Sequence, residues 1–299
     1  MKTKFLTIAA VAALLSPAKA QETQAFSQLL TETSISIPVP PLPDRGDQVS
    51  GAVSWDPSAP FSHHQKPAEI SARSRSAVKI KNVRWGELPA DKKSHVWETA
   101  TVMPEMLERA YYGYKNAGTG HSLLVFVFKN GGFVNSKGEA SAALTIGAEG
   151  YTREPEGYNP VNGMLGRYPL IWNLSTLANY ADFNITFKNA DVFLAPINIS
   201  REAQLQLLSA ALARIEKTNR TPGETYDTFS NNCTTLPVSL LNALLPETQR
   251  IDMKTFFVPN PDAAFPKKAV ARYTELGVLS AEVTSLNKDT YKKLDVSRY

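Results

Sequence analysis

The chain has 299 residues, 43% of them hydrophobic, and a formal charge of +4, so it holds enough apolar matter for a full core. Lys2, Lys4 and Lys19 all lie within the first 20 residues, and without them the charge is +1 (4 − 3). With no basic patch interleaved with aromatics, nucleic-acid binding is excluded as a function class.

The chain opens on Met1-Lys-Thr-Lys, an apolar run from Phe5 to Leu15 too short to span a bilayer, and a small-x-small Ala18-Lys19-Ala20. This predicts a secretory signal peptide over residues 1–20, hence a periplasmic or secreted protein. No later segment is apolar enough to be a membrane span. Residues 21–75, with Pro38, Pro40, Pro41 and Pro43, read as a Pro-rich extension of low order. A domain over 76–280 and a C-terminal tail over 281–299 complete the division.

Near Ala77, Val78, Ile80 and Val83 alternate with Lys79, Lys81 and Asn82 as in a half-buried strand. Pro104 opens a helical pattern through Met106, Leu107, Ala110 and Tyr111. His121 then leads Ser122-Leu-Leu-Val-Phe-Val-Phe128, which predicts a central strand entering a tight turn at Lys129-Asn130-Gly131-Gly132. Ala142 to Tyr151 predicts a second strand, with Thr145, Gly147 and Glu149 on one face. Residues 168–178 are ambiguous. Phe183, Ile185 and Phe187 alternate as a strand, and Asp191 to Ile197 is another short apolar run. Ser200 caps a helix to about Lys217, and a shorter helix is expected around Lys267 to Leu276.

The lone cysteine, Cys233, directly precedes a further predicted helix whose Leu236, Leu240, Leu241 and Leu244 share one face. Thr234 or Thr235 is placed to cap it, and Pro237 suits its first turn. A thiol there meets the positive end of the macrodipole and free N–H donors, which favour the nucleophilic thiolate. A single cysteine forms no internal disulfide, so it is buried and inert, paired with another chain, or kept for chemistry.

A thiol nucleophile needs a base. Of four histidines, His63 and His64 sit in the Pro-rich segment and lack the spaced third ligand of a zinc site. His95 lies in a charged stretch and reads as surface. His121, at the start of a buried strand, is the candidate base, against the blander reading of a satisfied strand-end histidine. Glu149 is the candidate orienting carboxylate, against a solvated charge. Tyr226 and Asn232 are candidate oxyanion or substrate-positioning groups, against a packed tyrosine and a turn asparagine. No cofactor or metal motif is present.

The segments Gly120-His121-Ser-Leu-Leu-Val-Phe, Ile146-Gly-Ala-Glu149, Gly163-Met-Leu-Gly-Arg-Tyr-Pro-Leu and Tyr226-Asp-Thr-Phe-Ser-Asn-Asn-Cys-Thr-Thr resemble the Lnb N-terminal periplasmic domain family. The resemblance covers roughly Lys79 to Val278. It implies the circularly permuted branch of the NlpC-type, papain-like superfamily, in which the histidine precedes the cysteine. The expected fold is therefore α+β, an antiparallel sheet core with the cysteine-bearing helix packed on it. By motif, Cys233 takes the nucleophile position, His121 the base position and Glu149 that of an acidic residue. The implied function is exported, thiol-dependent hydrolysis or acyl transfer on an amide or ester of a cell-wall peptide, lipid or protein. The rival is a periplasmic binding or assembly module in which Cys233 is structural. Mass spectrometry of the exported protein should find Gln21 at the N-terminus; an intact Met1 there would reject the signal peptide.

Overall fold

The computed structural model describes residues 56–91, 94–115, 120–221, 223–255 and 258–293. The signal peptide and the prolines at 38–43 lie outside these residues. The fold is α+β, built on an 11-stranded mixed sheet. Its strands are β1 (Glu69–Arg73), β2 (Val78–Trp85), β3 (Val96–Val102), β4 (Leu107–Lys115), β5 (His121–Phe128), β6 (Phe133–Asn135), β7 (Ala143–Gly150), β8 (Tyr168–Thr176), β9 (Val192–Pro196), β10 (Thr225–Tyr226) and a last strand, Thr284–Leu286. From one edge the order is Thr284–Leu286, β9, β4, β5, β7, β8, β2, β3, β6, with β1 on β2 and β10 on β8. The expected all-antiparallel core is corrected at one place, where β2 runs parallel to β8.

Inside the sheet, β5 has Leu123 to Phe126 wholly buried because both faces are covered. On one face Leu123, Val125 and Val127 pack with Tyr111, Leu177, Tyr180, Ile185 and Leu194. On the other, Ser122 Oγ lies 3.2 Å from Thr234 Oγ1 at the start of the cysteine-bearing helix.

Helices follow in the order α1 (Pro160–Met164), α2 (Leu177–Asp182), α3 (Arg201–Arg220), α4 (Thr235–Asn242), α5 (Pro261–Ala264) and α6 (Pro266–Glu275). The expected cap of α3 is present, with Ser200 Oγ accepting from Ala203 N–H at 3.2 Å. Tyr273 of α6 donates its hydroxyl toward Val238 O and Asn242 Oδ1 of α4, at 3.1 and 2.9 Å, which ties the two helices together.

Two expected elements are overturned. The helical pattern after Pro104 gives one turn, Pro104–Met106, and then strand β4. Pairing with β5 on one side and β9 on the other outweighs the local spacing. Phe183, Ile185 and Phe187 lie not on a strand but on a π-helical turn continuing α2. Thr176 caps α2, and Thr186 Oγ1 donates to Asp182 O at 2.6 Å, so helical growth carries through the alternating residues. Order also begins before residue 76: β1 pairs with β2, and Ala68 N–H donates to Trp172 O at 2.8 Å. At the other end Thr284–Leu286 joins the sheet beside β9 rather than trailing as a tail.

Phe126→Ala, in the doubly covered strand, should destabilise the protein by about 3–5 kcal/mol through lost burial and the cavity it leaves. Urea unfolding measures this; a loss below about 1 kcal/mol would mean that β5 is not held in the core.

Candidate active site

Cys233 stands at the opening of α4, and the residue that opens the helix is Asn232. Its Oδ1 accepts from the N–H groups of Thr234 and Thr235 at 2.7 and 2.8 Å, while Thr235 Oγ1 accepts from Asn232 N–H at 2.8 Å. This reciprocal pair is a capping box. The main cap is thus Asn232 rather than Thr234, and Thr235 closes the box from within the helix. The Asn232 amide nitrogen donates to Thr228 O and Ala264 O. Fully engaged and 2% exposed, the side chain holds the helix start and is not aimed at an oxyanion.

His121 begins β5 at the sheet end nearest this helix. Gly120 before it has φ +77°, and a Cβ there would lie 3.0 Å from Pro266, so the approach to the strand needs glycine. On the neighbouring strand β7, Gly147 leaves room for the ring: a Cβ would come 3.0 Å from His121 Nε2. Two residues further, Glu149 Oε1 is 3.7 Å from Nε2. That is an ion-pair distance rather than a hydrogen bond, and Nε2 has no hydrogen-bond partner among the described residues. Glu149 Oε2 accepts from Gln65 Nε2 at 2.7 Å and from Asn173 Nδ2 at 3.1 Å.

The thiol is 7% exposed. Burial pushes its pKa up. The charge and hydrogen bonding of the His121 ring, the Ser122 N–H and the Tyr226 hydroxyl act against this and bring it down to about 7. Tyr226 also accepts from Cys233 N–H at 3.4 Å. Burial raises Glu149, but the nearby His121 and Arg84 charges, with the Gln65 and Asn173 donors, leave it below the usual carboxylate range.

These groups open on a cavity of about 570 Å³ lined by Cys233, His121, Glu149, Tyr226, Tyr158 and Tyr180 among others. The structure therefore brings together Cys233, His121, Glu149 and Tyr226, and sets Asn232 behind them. Sequence reasoning missed Gln65, Arg84 and Lys115 of the same cavity. Gln65 sits in the segment read as low-order, yet its amide oxygen accepts from Thr152 N–H and Oγ1 at 2.9 and 3.0 Å while its nitrogen reaches Glu149. His64 and His95, read as solvated or surface groups, are half-buried with ring nitrogens 3.2 Å apart, and His95 Nδ1 lies 3.1 Å from Asn179 Oδ1. Burial comes first among the causes that lower His64 to about 4 and His95 to about 3.

A family model described as the Lnb N-terminal periplasmic domain matches residues 94–261. No curated protein and no solved structure matches the chain. Among the described residues, no helix is long and apolar enough to cross a membrane.

Only the thiolate is alkylated, so labelling of Cys233 by iodoacetamide should rise with pH through about 7. His121→Ala removes the main stabilising charge and should move that rise upward by about a unit or more. Gly147→Ala, by crowding Nε2, should move it the same way. An unchanged profile in His121→Ala would separate the histidine from the thiol.

Proposed function

The chain belongs to the Lnb N-terminal periplasmic domain family, and on that premise we propose that it is an exported thiol-dependent hydrolase or acyltransferase acting on an amide or ester bond. The observation that carries this reading is a cavity-lining thiol, lowered to about 7 against its own burial, with an imidazole beside it and a carboxylate 3.7 Å behind that imidazole. The periplasmic-domain family and the expected signal peptide support a site outside the cytoplasm. The chain order, His121 on β5 before Cys233 at α4, supports a circularly permuted papain-like fold.

In this mechanism the Cys233 sulfur, as thiolate, attacks the carbonyl carbon and the carbonyl electron pair moves to oxygen. The backbone donors at the helix start are mostly taken, since Thr234 and Thr235 N–H serve Asn232. The oxyanion is therefore met by the Tyr226 hydroxyl, which the sulfur no longer needs once its charge has passed to the substrate, and by Cys233 N–H as it turns from its long 3.4 Å contact with that hydroxyl. Collapse breaks the C–N or C–O bond, and the protonated His121 gives its proton to the leaving group. Water or a second nucleophile, deprotonated by His121, then attacks the thioester and returns the thiolate. Glu149 holds the imidazolium by charge.

A second reading, a binding module with a structural cysteine, has the thiol's low exposure in its favour. An activated ester offered at mildly acidic pH decides between them. Mass spectrometry should find an acyl group on Cys233, absent in Cys233→Ser and formed roughly 10²-fold or more slowly in His121→Ala. No acylation of the wild-type protein would favour the binding module.

A further inference from the structure

The cavity carries more positive charge than the dyad uses. Arg84, Lys115, Arg153 and Lys188 line it against Glu149 and Glu154, an excess of two with histidines neutral (4 − 2). Glu154 is held by His63, and Glu149 faces His121. Arg84 is 3% exposed, and its Nε has no hydrogen-bond partner among the described residues. It sits on β2 opposite Ser175 of β8, and its guanidinium lies 5.5 Å from the Phe183 ring centroid. A buried, unpartnered donor of this kind is costly unless something else satisfies it.

Lys115 is the second element. It ends β4 as the register partner of His121, so the two side chains leave the sheet on one face. Its ammonium has three donors, of which one reaches Asn184 Oδ1 at 3.1 Å. Lys188 lies at the rim over Phe183 and Phe187, exposed. Across the sheet face the order is thus Lys115, His121, Glu149, Asn173 and then Arg84, with cations on both sides of the dyad's histidine and carboxylate.

We propose that Arg84 and Lys115 form an anion subsite beside Cys233, so that the acyl compound it takes carries a compact oxyanion, a carboxylate or a phosphate, close to the scissile bond. The planar guanidinium is suited to two oxygens of such a group, and the ammonium to a third contact. The inference rests on the thiol chemistry proposed above and names its substrate class.

Two probes of like size test it: neutral iodoacetamide and anionic iodoacetate. Relative to free cysteine, the wild-type protein should favour iodoacetate, raising the iodoacetate to iodoacetamide rate ratio about tenfold or more. Lys115→Gln and Arg84→Met should each lower that ratio several-fold, whatever they do to either rate alone, while Arg84→Lys should keep much of it. A ratio equal to that of free cysteine would overturn the subsite with the thiol chemistry intact. If the thiol reacts with neither reagent, the thiol chemistry falls, and the subsite is read from ligand-induced stabilisation of Cys233→Ser. There glutarate or inorganic phosphate, at matched ionic strength, should raise Tm in an Arg84-dependent way. A stronger glutarate effect assigns a carboxylate and a stronger phosphate effect a phosphate; no Arg84-dependent shift from either overturns the proposal.

Discussion

The site depends on one electrostatic balance: a thiol buried at the start of α4 is made acidic by an imidazole at the start of β5. Each unit of lowering is worth about 1.4 kcal/mol of difference between thiolate and thiol. The surroundings must supply that in addition to whatever burial removes. The largest opposing contribution is the His121 ring, followed by the Ser122 N–H and the Tyr226 hydroxyl. None of these is local in sequence to Cys233 except Tyr226. The balance therefore exists only when β5 and α4 are locked together, and the fold does this through Ser122 against Thr234 and through the Asn232 cap.

Glu149 enters the same balance one step removed. At 3.7 Å and an effective dielectric of about 20, a carboxylate and an imidazolium attract by roughly 4 kcal/mol before desolvation is counted. That attraction acts whenever the ring carries the proton it is to deliver. It needs an ionised carboxylate, and Gln65, Asn173 and the Arg84 charge keep it so. Gln65 ties this requirement to the segment ahead of β1, whose backbone is held by Ala68 against Trp172. The N-terminal part of the described chain is thereby part of the site rather than an appendage to it.

What the sequence made legible follows from which forces are local. Cys233 before a leucine stripe and His121 before a seven-residue apolar run announce element ends, because helical and strand periodicities change there. Glu149 was readable from the alternation Thr145, Gly147, Glu149, which β7 realises. Arg84 and Lys115 were not, because a cation on a strand looks solvated until the register shows which face is covered. Arg84 follows a bulge in the β2–β3 pairing, after which Val83, Arg84 and Trp85 are all buried. Asn232 reads in sequence as an oxyanion candidate or a turn asparagine, with the cap expected from Thr234 or Thr235; a cap two residues ahead of a threonine pair has no signature that distinguishes it from them, and here its Oδ1 is the acceptor. The strand after Pro104 and the helical turn at Phe183–Phe187 show the same limit from both sides. Tertiary pairing overrode a helical spacing in one, and a capped helix overrode an alternating pattern in the other.

Arg84 also shows why stability and chemistry diverge at this site. A guanidinium removed from water without a bidentate acceptor lowers stability, and an apolar side chain of similar volume would pack against Phe183 without that penalty. Its charge nonetheless helps to keep Glu149 ionised, and the cost falls if an oxyanion completes its shell. Such an anion would arrive in a cavity already two charges in excess, so its own desolvation would be offset where the sulfur needs a carbonyl held still. Of the two cations, Lys115 also lies within charge reach of the Cys233 thiolate and so adds to its stabilisation. An anion bound at Lys115 would neutralise part of that charge, weakening the hold on the sulfur as attack begins. A nucleophile stabilised by a cation that the substrate itself engages becomes more reactive on binding, which gives the acidic thiol and the cationic pocket one common purpose.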